Sequence, residues 1–301
     1  MVRIKRKNTL RNLKVSDAMR RQIIRLDQNE SIDYGLNAII KYKIGALLTV
    51  DTQNKPIGVV SKTDIMGAYY AGFPIDSPLE SIMISPPLFC GSGDSLENAL
   101  EQMRINGVYR LYVKDSVSGD LVGALAYPDI VGLLYRYCHQ CEYSHLSSAG
   151  EAGQNDSVRR FSVGEVMTRR VQQVGLHDKL TAVMEQLSAY RFGAILVSNK
   201  NGLPCGVISK TDLALTYKHG VDPEVEAQSV MSVPVHTCDV NLLLEEAIKK
   251  MIIADIHRLF VHEGEAGNIV GVLSLSDAAR IRSGSCYACV SSRIKVEDHE
   301  V

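Results

Sequence analysis

The sequence predicts a mixed α/β chain of the α+β kind, made of four β-α-β-β-α units set out as two pseudo-symmetric pairs. Three observations predict it. The stretch "GVVSKTD" (58–64) returns as "GVISKTD" (206–212), and 206 − 58 = 148 is also the step from Met19 to Met167, Met83 to Met231, Arg110 to Arg258 and Asp129 to Asp277. A shorter step lies inside each half: Met19 to Met83 and Met167 to Met231 are both 64, while Gly58 to Gly123 and Gly206 to Gly271 are both 65. All four units then pass through the same order of hydrophobic patterns, as repeats that stack to share a core must.

Each unit begins with a lead-in ending in Met: "VSDAM", "LESIM", "VGEVM" and "AQSVM". An amphipathic helix follows. In the third unit Leu180, Val183, Met184 and Leu187 fall at i, i+3, i+4 and i+7, and in the fourth Leu244, Ala247, Ile248 and Met251 repeat the stripe. Two short β-type runs come next, "ALLTV" and "IGVV" in the first unit, "RLFV" and "VGVLS" in the fourth, parted by polar turn residues. A second helix starts at Ser61, Ser209 and their counterparts.

A unit of about 60 residues leaves an apolar sheet face that its own helices cover only in part, so the units are expected to pair within each half. The predicted units span about 15–72, 79–137, 163–220 and 227–284, in pairs 15–146 and 158–285. Between the pairs, "SSAGEAGQNDS" (147–157) is small and polar, as a linker should be. The basic arm 1–14 and the tail 286–301 read as solvated ends.

The 301 residues are 46% hydrophobic, enough for sizeable cores. With 33 basic against 34 acidic residues, the net charge of -1 exerts no long-range pull on nucleic acid or acidic lipid. Six Lys or Arg in the first 14 residues are the one feature that favours DNA, and such arms are usually solvated. No apolar run nears the roughly 18 residues that span a bilayer, and no secretory signal is visible, so the expected place is the cytoplasm.

The shared stretch has two compatible local readings. Ser61 followed by Asp64 fits a capping box, in which the hydroxyl accepts from the third amide and the carboxylate reaches back to the cap. The same helix start, with unpaired amides and a positive dipole end, suits an anion. Arg110 and Arg258 open the strand before it, and an arginine there either pairs with a carboxylate or grips phosphate.

On the lead-in ending in Met, the "HRLFV" strand and the Gly-hydrophobic-x-Ser-x-x-Asp helix start, the chain resembles the CBS-domain family, whose units pair into Bateman modules. The resemblance runs from about Val15 to about Arg282. It implies clefts between paired units that take adenosine-containing ligands, chiefly adenine nucleotides and sometimes S-adenosylmethionine. There the Asp of the helix start holds the ribose hydroxyls and the Ser approaches phosphate, a division that suits a carboxylate accepting two hydroxyl donors. Carried over, this implicates Ser61 with Asp64, Ser209 with Asp212, and Ser274 with Asp277. The second unit reads "GALAYPD", with Ala126 in place of Ser and Pro128 before Asp129. The fourth unit, "HRLFV" then "GVLSLSD", is similar to the last repeat of the regulatory gamma subunit of AMP-activated protein kinase, which implies phosphate contacts from His257 and Arg258. The second unit keeps Arg110 but has Tyr109 for the His.

The seven cysteines, an odd number, do not read as a secreted disulfide framework. Cys138 and Cys141 form "CHQC", Cys286 and Cys289 form "CYAC", each pair starting nine residues after its half's last Asp (138 − 129 and 286 − 277). Four thiolates suit zinc or an iron–sulfur cluster, provided the fold joins pairs separated by 286 − 141 = 145 positions. Plain inheritance through duplication is the alternative, as for Cys90 and Cys238, which share the 148 step and sit in β-type runs where buried Cys is ordinary core.

No Ser-His-Asp set or Lys-bearing glycine-rich phosphate loop is present, and four units leave no room for a catalytic domain. The expectation is therefore a non-catalytic regulator that senses adenine nucleotides and signals to an effector protein. A metal or redox sensor built on the Cys pairs is the rival. Pairing of the modules within one chain or between two, as a homodimer, is open at this level.

Overall fold

The computed structural model describes residues 13–139 and 161–280, the side chains at 134–139 and 280 excepted. The first unit runs α1 (Val15–Ala18), β1 (Arg25–Asp27), α2 (Ile32–Lys41), β2 (Ala46–Val50), β3 (Pro56–Ser61), α3 (Lys62–Tyr70). After a turn at Leu79–Ser81 the second has β4 (Phe89–Gly91), α4 (Leu96–Ile105), β5 (Arg110–Lys114), β6 (Leu121–Ala126) and α5 (Tyr127–His139). The third has β7 (Gln173–Gly175), α6 (Leu180–Ala189), β8 (Ala194–Ser198), β9 (Pro204–Ser209) and α7 (Lys210–Lys218). The fourth has β10 (Thr237–Asp239), α8 (Leu244–Ile253), β11 (Arg258–His262), β12 (Ile269–Ser274) and α9 (Leu275–Arg280). This is the predicted β-α-β-β-α order, four times.

Every unit builds one three-stranded sheet. Its first two strands are parallel, as the helical crossover between them allows, and its last two are antiparallel. The antiparallel register slips at one equivalent place in each unit, between Thr49 and Val50, Val113 and Lys114, Val197 and Ser198, and Val261 and His262. The predicted helical stripe of α6 is fully inside, with Leu180, Val183, Met184 and Leu187 no more than 1% exposed.

The lead-ins are exchanged between sister units. Arg20 bridges to Ala124 of the second unit, and Ile84 bridges back to Val59 of the first; in the second half Thr168 bridges to Val272 and Ser232 to Val207. Each exchange seats the lead-in Met on a glycine of the sister sheet. A Cβ on Gly58 would lie 2.6 Å from Met83 Sδ, on Gly123 2.8 Å from Met19 Sδ, on Gly206 2.6 Å from Met231 Sδ, and on Gly271 closer still to Met167 Sδ. Real side chains do not approach so closely, so the repeated Met and the repeated Gly are two halves of one contact.

Sister sheets also meet directly in the first half, where Leu48, Tyr112 and Ala124 form a small apolar layer. The helices find their cover elsewhere. One large core joins the first and third units through Leu36, Ile39, Ile65, Val183, Leu187 and Leu213. The other joins the second and fourth through Met103, Leu125, Ile130, Met251, Leu273 and Ala279. Sisters are thus joined by sheets and exchanged lead-ins, while burial of the helical faces ties the two halves together. Each fully buried Leu or Ile in these cores contributes about 1.5–3 kcal/mol.

The α3–α7 crossing is reciprocal along its length. Tyr69 stacks on Tyr217 with ring centroids 5.2 Å apart. The Tyr69 hydroxyl donates to the Val221 carbonyl (2.8 Å) and the Tyr217 hydroxyl to the Phe73 carbonyl (2.6 Å). These residues are related by the 148 step, so a pseudo-twofold axis passes between the two helices.

Candidate functional site

At the other end of that crossing lies the repeated "SKTD". Ser61 caps α3, its hydroxyl accepting from the Thr63 amide (3.2 Å) and donating to Asp64 Oδ2 (2.7 Å), which also accepts the Ser61 amide (2.7 Å). Ser209 and Asp212 repeat this at α7, with 2.6 Å between hydroxyl and Oδ2 and 2.7 Å from the amide. Ser274 donates to Asp277 Oδ2 from both hydroxyl (2.5 Å) and amide (2.9 Å). In the second unit, where Ala126 replaces Ser, only the amide remains, 2.9 Å from Asp129 Oδ2. One carboxylate oxygen therefore belongs to the helix cap in all four units.

The other oxygen, Oδ1, differs from unit to unit. In Asp129 it accepts from Arg20 Nε, and in Asp212 from the Ser232 hydroxyl at 2.8 Å. Among the described residues, no hydrogen bond reaches Oδ1 of Asp64 or of Asp277. Burial raises the Asp64 pKa, against the opposing pull of its Ser61 hydrogen bonds and of Lys210.

Cations converge on these helix starts from other units. Lys210 of the third unit donates to Thr63 Oγ1 of the first (2.9 Å), and Lys62 of the first donates to Thr211 Oγ1 of the third (2.8 Å). An ammonium has three donors, and each of these spends one on its threonine. Arg110 reaches from β5 to the Ala46 carbonyl of the first unit (2.7 Å). Arg258 reaches from β11 to the third unit, where its Nη2 would lie 2.8 Å from a Cβ on Gly193. Gly193 leaves the room that this guanidinium takes.

Burial and like charge act together on the cluster. Burial first, and then Arg258, push Lys210 down to about 8, with Asp64 opposing. Lys62 is lowered by burial, with Arg110 adding to that and Asp212 acting against it. His257 is exposed at the surface, yet its neighbours crowd it enough that desolvation and then Lys62 hold its imidazole below its ordinary value. Desolvation also lowers Arg258, while Tyr109 and Asp277 work in the other direction.

Two equivalent constellations result: Asp64 with Lys210 and Arg258, and Asp212 with Lys62 and Arg110. Each draws on three units and on both halves. A desolvated group of cations beside a carboxylate is suited to an anionic ligand that also carries hydroxyl donors. His257 feels Lys62 and Arg258 as like charges, with Asp255 acting against them. Asp129 stands apart, occupied by Arg20.

Sequence reading missed Lys62, Lys210 and Arg20. The signal for the lysines was in plain view, since "SKTD" occurs in the first and third units whereas the second and fourth have Tyr127 and Leu275 at that position. For Arg20, its place directly after the lead-in Met was the only clue.

The CBS domain family profile matches residues 15–71, 79–136, 163–218 and 227–284. The chain belongs to the CBS-domain family. Its four CBS domains form two Bateman modules. Among solved structures, protein MJ1225 of Methanocaldococcus jannaschii, described as a candidate archaeal homologue of g-AMPK, superposes with a TM-score of 0.73 at 17% identity, covering 89% of this chain and 99% of that one. An uncharacterised conserved protein of Pyrococcus horikoshii gives 0.59 at 20% identity over 89% and 99%. These likenesses show the four-domain fold. The CBS protein is also 28% identical over 126 residues to the uncharacterised protein MK0525 of Methanopyrus kandleri, covering 41% of this chain and 64% of that one. Its match to MJ1232 of M. jannaschii, 36% identical over 61 residues, spans 20% of this chain and 21% of the relative.

Of the cysteine pairs, Cys141, Cys286 and Cys289 lie outside the described residues, as does the side chain of Cys138. Among the described residues, no group of three or more His, Cys, Asp or Glu is placed to hold a metal ion. Cys90 and Cys238 are 6% and 2% exposed, and burial pushes their thiols up to about 12 and about 11. Such thiols stay protonated and pack as core. No described helix is long and apolar enough to cross a membrane.

Proposed function

We propose that this CBS-domain protein is a non-catalytic regulator that binds adenine nucleotides (AMP, ADP or ATP) in the clefts of its paired units and passes their occupancy to an effector protein. The observation that carries the reading is the pair of equivalent constellations, in which a helix-start carboxylate meets a lysine from the opposite half and an arginine from that lysine's sister unit. The carboxylate suits ribose hydroxyls and the cations suit phosphate, the division of roles that the family pattern implies. His257 and Arg258 in the fourth unit, with Asp277, are assigned to the same ligand chemistry.

The regulatory part of the reading follows from where the cations come from. A phosphate held by Lys210 at the Asp64 cleft is held by the second half on the first, so it favours one relative placement of the modules over others. A ligand shifts such an equilibrium only through its different affinity for the two placements. Titration calorimetry of the full chain with AMP, ADP, ATP and S-adenosylmethionine tests the proposal. Binding of at least one nucleotide with Kd below about 1 mM, about −4 kcal/mol, is expected; the absence of heat from all four at millimolar concentration would sink it.

A further inference from the structure

We infer that the residue directly after each lead-in Met decides whether the cleft facing it accepts a ribose, and that Arg20 keeps the second unit's cleft closed. The inference rests on the nucleotide reading above and concerns which of the clefts takes part.

The four positions are Arg20, Ile84, Thr168 and Ser232. Their backbones are held alike, each exchanging two hydrogen bonds with one residue of the sister sheet: Arg20 with Ala124 (2.9 and 2.9 Å), Ile84 with Val59 (2.9 and 2.9 Å), Thr168 with Val272 (2.9 and 2.9 Å), Ser232 with Val207 (2.8 and 3.0 Å). In every case the helix-start Asp lies five residues beyond the bridged one: 129 − 124, 64 − 59, 277 − 272 and 212 − 207. Identical register sets this position at the same place relative to each unit's own helix-start carboxylate, which the side chains of Arg20 and Ser232 reach.

What arrives there differs in chemistry. Arg20 brings a guanidinium that takes Oδ1 of Asp129 by a charge-assisted contact, while the cap amide of Ala126 takes Oδ2. Both oxygens are then engaged, and the Asp129 side chain is only 6% exposed while that of Arg20 is 61% exposed. Ser232 brings a neutral hydroxyl to Asp212, a weaker contact that a ribose hydroxyl can replace one for one. Ile84, 62% exposed, has no polar atom to offer Asp64. Thr168 makes no hydrogen bond to Asp277 among the described residues. A ribose entering the Asp129 cleft would have to displace a cation from a buried carboxylate, and two hydroxyls do not replace the charge that is lost. The clefts of Asp64, Asp212 and Asp277 ask for no such exchange.

The test counts ligands. Titration calorimetry of the full chain with AMP, and with adenosine because the second unit lacks the cap serine, gives the number bound per chain. Arg20→Met, which keeps the apolar stem, is expected to add one site to the wild-type number. Asp129→Ala is expected to leave that number unchanged, and Ile84→Arg, at an exposed position, to weaken one site by about 100-fold or more. An unchanged count in Arg20→Met, or a site lost in Asp129→Ala, overturns the inference while leaving nucleotide binding intact. A chain that takes neither probe, with or without Arg20, overturns the nucleotide reading and this inference together.

Discussion

The α3–α7 and α5–α9 seams occupy equivalent places in the molecule, and both are packed on apolar cores, but they differ at the residue after the helix cap. At α3–α7 the residue after the cap is Lys62 or Lys210, and each crosses to a threonine of the other helix. At α5–α9 the same position holds Tyr127 and Leu275, 2% and 6% exposed within an apolar core. A structure assembled from four copies of one unit has thus divided its labour. Both seams bury apolar faces and hold the halves together, and at the residue after the cap the α5–α9 seam stays apolar. The α3–α7 seam instead holds two desolvated lysines there, against the repulsion of Arg110 for Lys62 and of Arg258 for Lys210.

Exchanging the two chemistries should break the comparison most visibly where the seam is apolar. Leu275→Lys places an ammonium among the buried apolar residues of this core, and a loss of about 3–5 kcal/mol is expected in urea unfolding. The converse change is expected to be gentle. Lys62→Leu or Lys210→Leu removes a desolvated charge whose only side-chain hydrogen bond among the described residues is to a threonine, so stability should hold within about 1 kcal/mol. AMP affinity should nevertheless fall about tenfold or more, the equivalent of one charge-assisted hydrogen bond at about 1.5–3 kcal/mol. Stability loss in the lysine variants without loss of affinity would show the cations to be structural.

The smallest expected effect sharpens the comparison through pH. Lys210 sits near 8 in the free protein. Below that pH its ammonium is charged with or without ligand, so Lys210 adds no pH dependence there. Bound phosphate raises the ammonium's pKa, and above about 8 binding therefore takes up a proton and affinity declines as pH rises. The second phosphate ionisation, near 6, is complete by then and does not contribute. Calorimetry from pH 7.5 to 9.5 in buffers of different ionisation enthalpy should show the proton uptake in the wild type and a smaller uptake in Lys210→Leu, where only Lys62 of the two lowered lysines remains. Without ligand the linkage runs the other way: the unfolded chain holds a proton that the folded one sheds, so folding stability gains between about pH 8 and 10.5.

Much of the fold was legible because it is written locally. The stripe of Leu180, Val183, Met184 and Leu187, the caps at Ser61 and Ser209, and the runs that became β2 and β12 each need only a few consecutive residues to be seen. The 64 and 148 steps then fixed the number of copies. What escaped is long-range. Lys62 meets its threonine 149 positions away, Lys210 its own 147 away, and Arg20 its aspartate 109 away. Nothing in hydrophobic periodicity separates such a residue from a solvated surface charge. Cover for the helical faces across the halves escaped for the same reason, since an amphipathic stripe shows that a face is buried and not what buries it.

The exchanged lead-ins bear on how such a chain is made and how it could have arisen. On the ribosome, Met19 and Arg20 emerge long before Gly123 and Ala124, and they wait without a docking place until the second unit has been synthesised. A lone unit would carry both a tongue with nothing to enter and a socket with nothing in it. Copying one unit of the gene would pass on that defect, whereas copying a pair passes on both tongues with both sockets. The uninterrupted step of 148, beside the looser 64 and 65 within each half, is the spacing such an inheritance would leave.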